Sequence, residues 1–104
     1  MIGVLALLAD PAAERDLAAG FEEEGVPLSC EAAAGDVLTL AREAARRSAL
    51  GLGVGGDAER LLLVLAAAPG RPYLDGVPGS ARAFGKAAAR IAARRPLYSA
   101  GGNS

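Results

Sequence analysis

Two hydrophobic rhythms alternate along this chain, and proline and glycine mark where one gives way to the other. The run Ile2 to Leu8 is short and continuously apolar, the pattern of a buried strand. Asp10-Pro11 then supplies a helix N-cap followed by the residue best tolerated in a first turn. Ala13, Leu17, Ala18 and Phe21 recur at spacings of three and four, so a helix is predicted until Gly25 takes the left-handed cap. Val26 to Ala32 reads as a second strand. Asp36 caps a second helix whose stripe is Val37, Leu40, Ala41, Ala44 and Ser48, with Arg46 and Arg47 at the favourable end of its dipole.

Leu50 to Val54 and Leu61 to Ala66 are apolar runs of strand length separated by GGDAER, the signature of a hairpin, although ERLLLVLAAA also suits a helix. Pro69, Pro72 and Pro78 predict an irregular stretch. Ser80 caps a last helix with Phe84, Ala87, Ala88 and Ile91 as its buried stripe, and Pro96 stops it. The order β-α-β-α-β-β-α predicts an α/β fold, a three-layer α/β/α sandwich. Its sheet is mixed and mostly parallel, with right-handed crossovers joining the early strands. One domain is expected over 1–97, with 98–104, YSAGGNS, as a flexible tail.

Composition narrows the picture. A length of 104 residues suits a single domain that buries roughly two-thirds of its unfolded surface. Hydrophobic residues make up 52% but aromatics only 4%, so the core is expected to consist of thin Leu, Val and Ala layers that gain stability from a partner. A net charge of −1 gives no electrostatic reason to expect nucleic acid or an anionic membrane. The single cysteine, Cys30, allows no intrachain disulfide, and MIGVLALLA is too short and lacks the basic residues for a leader or span, so a cytoplasmic location is expected.

The candidate chemistry is thin. Histidine is absent, which removes the usual general base, every His-supported nucleophile and the commonest metal ligand. Cys30, on a predicted inner strand with no base beside it, reads as an inert thiol. Gly51 to Gly56, GLGVGG, match the dinucleotide pattern G-x-G-x-x-G, and Asp75 lies where a ribose-binding acid would be sought. That mechanism needs a strand before the first glycine and a helix at the last, whereas helical REAARRSA precedes Gly51; a Gly-rich strand approached closely by another backbone is the plainer reading. Arg42, Arg46, Arg47, Arg90, Arg94 and Arg95 could meet phosphates but lack interleaved aromatics, and basic residues suit helix C-termini anyway. Glu22, Glu23 and Glu24 say more. They fall in a last helical turn, where the dipole disfavours carboxylates by about 0.3 to 1 kcal/mol each. A hard cation, basic residues of a partner, or simple solvation are the open ways to offset this.

Taken together, FEEEGVP, LAREAARRSALGLGVG and SARAFGKAAARIAARRPL, in this order and spacing, resemble the small subunit of the diol/glycerol dehydratase-reactivating factor, from about Leu5 to Leu97. The resemblance rests on an acidic-Gly-Val-Pro turn and a Gly-containing last helix rather than on a catalytic signature. It implies a fold related to the medium subunit of the B12-dependent dehydratase and to anticodon-binding-like domains. It also implies a non-catalytic, chaperone-like role, in which this chain pairs with a large actin/Hsp70-like ATPase subunit and exchanges with the dehydratase medium subunit, so that damaged cobalamin is released. The family offers a glutamate from this turn to an interface divalent ion. Glu23 matches that position, with Glu22 and Glu24 beside it in the expected partner interface. Any Mg²⁺ or Ca²⁺ would then be shared with the large subunit, with no cofactor, catalytic residue, nucleic acid or membrane belonging to this chain alone. A homodimer of the isolated chain is compatible with this reading. The competing readings are a nucleotide-binding domain using Gly51, Gly53 and Gly56, a shortened medium subunit of the dehydratase itself, and an RNA-binding module.

Overall fold

The computed structural model of the protein describes residues 3–94. The expected ends of the first strand and last helix, Ile2 and Pro96, together with Arg95 and the tail 98–104, lie outside them. Strands β1 (Val4–Leu8), β2 (Leu28–Ala32), β3 (Leu52–Gly56), β4 (Leu61–Leu65) and β5 (Leu74–Gly76) form one sheet in the order β2-β1-β3-β4-β5. β1 lies parallel to β2 and β3, while β4 is antiparallel to both β3 and β5. Helices α1 (Glu14–Glu23) and α3 (Ala81–Ala93) share one face of the sheet and α2 (Val37–Arg47) covers the other, giving the expected three layers.

Alternation along the strands divides the core between the layers. Val4, Ala6, Leu8, Leu52, Val54, Leu61 and Leu63 meet Leu17, Phe21 and Phe84 beneath α1 and α3. Leu5, Leu7, Leu62 and Val64 point to α2, which presents Val37, Leu40, Ala41, Ala44 and Ala45. The apolar run after GGDAER is a strand, not a helix. Asp57 makes its turn: its carboxylate accepts from the backbone N–H of Glu59 and Arg60, both at 2.8 Å. Asp36 caps α2 as expected, accepting from the N–H of Thr39 at 2.9 Å and its hydroxyl at 2.7 Å, which hold its pKa below the usual carboxylate range. Asp10 caps a 3-10 turn, Pro11–Ala13, that leads into α1.

Some expectations need correction. Ala18 is exposed rather than part of the α1 stripe, and the Ser80 side chain makes no capping hydrogen bond, because a 3-10 turn (Pro78–Ser80) enters α3 instead. The Pro-rich stretch holds a fifth strand, β5, and with it the four strand pairings divide equally between parallel and antiparallel. β2, expected inside the sheet, is its edge. Cys30 is therefore half-buried, although burial and then the Glu14 carboxylate push its thiol up to about 11, so the thiol stays protonated. Among the described residues no helix is long and apolar enough to cross a membrane.

Candidate partner-binding interface

The acidic turn forms because α1 ends on a glycine. Gly25, at φ 71°, donates its N–H to Glu22 O at 3.0 Å, and Val26 donates to Phe21 O at 3.1 Å, the two bonds of a Schellman motif. Glu22, Glu23 and Glu24 are thereby held around the last turn, where the helix carbonyls already place negative charge.

Compensation comes from within the chain. α3 crosses α1 at Gly20 and Gly85, where the backbones approach so closely that a Cβ on Gly20 would lie 2.7 Å from Lys86 N and one on Gly85 would lie 2.6 Å from Leu17 O. At that distance the basic residues Arg82, Lys86 and Arg90, spaced four apart along α3, reach across. Arg82 and Lys86 both engage Glu23, the lysine at 3.6 Å, and Arg90 pairs with Glu24 at 3.1 Å. Glu23 and the two cations line a shallow groove of about 510 Å³ with Asp16 and Ser80. Glu22 points elsewhere, onto a groove of about 410 Å³ shared with Ala18, Phe21, Val26 and Leu28. The three acids thus divide between two surfaces.

Sequence reasoning missed Arg82 and Lys86 and treated Arg90 as a helix-end charge. The i, i+4, i+8 basic stripe of SARAFGKAAAR was the available signal, and pairing it with FEEEG needed the glycine on each helix to be read as a crossing point. The three arginines of α2 are also engaged. Arg42 donates to Pro69 O at 2.7 Å, Arg46 pairs with Glu43 at 2.6 Å, and Arg47 ties α2 to Glu31 of β2 at 3.1 Å.

GLGVGG forms β3 and the residue before it, all but Gly51 fully buried. A Cβ on Gly53 would overlap the backbone of Ala44 and Ala45, and one on Gly55 would lie 2.5 Å from Ala41 N, so these glycines let α2 lie directly on the sheet. A hairpin turn, not a helix, follows Gly56, and Asp75 sits on β5 in a 3.8 Å ion pair with Arg60. Among the described residues no group of three or more His, Cys, Asp or Glu converges to hold a metal ion. Glu23 contributes one carboxylate, already facing two cations.

The dehydratase medium subunit family model matches residues 2–98. Among solved structures the chain is similar to a glycerol dehydratase reactivase chain, at 29% identity and a TM-score of 0.80, over 93% of this chain and 96% of that one. It is also similar to a chain of a diol dehydratase-reactivating factor solved with ADP and Mg²⁺, at 25% identity and a TM-score of 0.80, over 93% of this chain and 97% of that one. No curated protein matches the sequence.

Proposed function

The chain belongs to the dehydratase medium subunit family, and on that premise we propose that it is the non-catalytic small subunit of a reactivating factor for an adenosylcobalamin-dependent diol or glycerol dehydratase. In this reading a large ATPase subunit hydrolyses the nucleotide. This chain occupies the docking position on that subunit until the dehydratase medium subunit, a relative in fold, takes its place and damaged cobalamin leaves. The observation that carries the reading is the match to reactivase chains along 96 and 97% of their own length, at TM-scores of 0.80.

The docking surface is the groove at the α1 and α3 crossing. It offers the Glu23 carboxylate paired with two exposed cations, Arg82 and Lys86, so a partner can exchange its own charges for the internal pairs at small net cost, because exposed pairs of this kind are each worth about 0 to 1 kcal/mol. Such a surface suits a partner that must be released. Mg²⁺ and Ca²⁺ take six or more oxygen ligands or several waters, and at this groove the chain presents the carboxylates of Glu23 and Asp16 and the Ser80 hydroxyl, too few to complete such a shell. Such an ion therefore fits here only as a shared one, with Glu23 turned from Arg82 and Lys86 and the remaining oxygens supplied by the large subunit.

Glu23→Ala is expected to weaken binding to the large subunit about tenfold, or about 1.4 kcal/mol, and to remove any difference between Mg²⁺ and EDTA. Equal affinity of variant and parent in both buffers overturns the assignment of Glu23. The family's description favours one second reading, a shortened medium subunit of the dehydratase. Restored activity when this chain is added to a dehydratase lacking its medium subunit would establish it.

A further inference from the structure

Among the described residues the β2 edge of the sheet is open, and its pattern fits a particular occupant. Val4 donates its N–H to Pro27 O at 3.0 Å and Ala33 donates to Leu8 O at 3.0 Å. Because a residue in a parallel ladder turns its N–H and C=O to one side and its neighbours turn theirs to the other, Ser29 and Glu31 bond to β1. Leu28, Cys30 and Ala32 therefore direct their backbone groups outward. β2 carries little to guard this edge: Leu28–Ala32 contains no proline, lysine or bulge, and its one charge, Glu31, is paired with Arg47 of α2. The opposite edge differs in length, since β5 is three residues long against five for β2.

We propose that a second copy of this chain docks antiparallel on β2, centred on Cys30, to form a two-fold dimer with one continuous sheet. In that register Cys30 meets its own counterpart and Leu28 meets Ala32 of the second copy, so every outward donor and acceptor of both strands is paired. The side chains agree with the backbone. On the α2 face Ser29 stands opposite Glu31 of the second copy, a hydroxyl against a carboxylate with no like charges directly across. On the α1 face Leu28 stands opposite Ala32, beside which a groove of about 370 Å³ opens between Leu8, Pro11, Glu14 and Ala33. The large residue of each copy thus faces the cavity beside the small residue of the other. Glu23, Arg82 and Lys86 lie on the α3 side of α1, away from this edge, so the proposed large-subunit surface stays free on both copies.

Sedimentation equilibrium of the full chain, from micromolar to submillimolar concentration, tests this. The parent is expected to show a concentration-dependent monomer–dimer equilibrium. Ser29→Glu places two symmetric like-charge pairs across the interface and weakens the dimer about tenfold, whereas Ser29→Lys tightens it by a similar factor. Ala32→Pro deletes an outward N–H without touching the ladder to β1 and abolishes the dimer. Ser29 is exposed, so both charge variants retain the fold; if Ala32→Pro unfolds, which circular dichroism would show, the Ser29 pair decides alone. A chain that remains monomeric even as Ser29→Lys, or a dimer indifferent to both charge variants, overturns the proposal. Neither outcome bears on Glu23, so this inference and the proposed function fail separately.

Discussion

Cys30 shows how one residue's chemistry is set by what surrounds it. Half-buried against the α1 side of the core, with Glu14 as the second cause, its thiol is raised to about 11. At pH 8 only about one thiol in a thousand is then ionised, against about a quarter for a free cysteine of pKa near 8.5. Labelling of the dilute folded chain by a disulfide reagent should therefore climb about tenfold per pH unit from 8 to 10 without levelling. In guanidinium the same thiol should level off near pH 9, as a free cysteine does. A plateau below pH 9 in the folded chain would mean an activated thiol instead. Its inertness was legible, since a chain without histidine offers no base to activate a thiol. Its position was not. Whether a strand is central or at the edge depends on how crossovers order the sheet, and the residues of Leu28–Ala32 are compatible with both. Glu23 divides in the same way: the dipole penalty on a helix-end acid is a local property that sequence reveals, while Arg82 and Lys86 reach it from an element about sixty residues away.

Between elements, the contact that positions the candidate interface is made by the absence of side chains. Gly20 and Gly85 allow α1 and α3 to touch backbone to backbone, which brings the basic stripe of one onto the acidic end of the other. Replacing Gly20 with Ala would gain up to about 1 kcal/mol of helix propensity. The new Cβ would meet Lys86 N at 2.7 Å, and backbone cannot step aside as a side chain can. Steric cost therefore wins, and Gly20→Ala should lose a net of about 2 kcal/mol in urea denaturation. Arg90→Ala, which breaks only an exposed pair with Glu24, should lose less than about 1 kcal/mol, and that loss should fade in high salt. The reverse ranking would mean that charge, not close approach, holds the two helices. The three helices were legible from their hydrophobic periods and the first four strands from short apolar runs between turn residues, although the run that holds β4 suited a helix as well until its pairing with β3 decided it. β5 was not, because three residues between Pro72 and Pro78 carry no period, and only pairing with Leu61, Leu62 and Leu63 makes them a strand.

At the scale of the whole molecule, topology decides what a motif can do. GLGVGG satisfies the spacing of a dinucleotide loop, yet here those glycines run up the middle of the sheet, with α2 on one face and the core beneath α1 and α3 on the other. A loop that cradles phosphate must end a strand and open a helix so that N–H groups point at the ligand. In β3 those groups are spent on β1 and β4 instead. On the proposed function, nucleotide dependence enters through a partner. ATP or ADP with Mg²⁺ should leave the melting temperature of the isolated chain unchanged. A ligand bound at a hundred times its Kd adds about 2.7 kcal/mol, which in a domain of this size raises Tm by roughly 10 °C or more, so even weak specific binding would be visible. On the proposed function, the same titration on a complex with the large subunit should shift its transition, because the nucleotide would act on the partner and reach this chain through the interface. A shift in the isolated chain would place a nucleotide site on this domain and return the glycines of β3 to consideration. A shift confined to the complex would support the proposed pairing, with the nucleotide held by the partner and its effect on this chain passed through their interface.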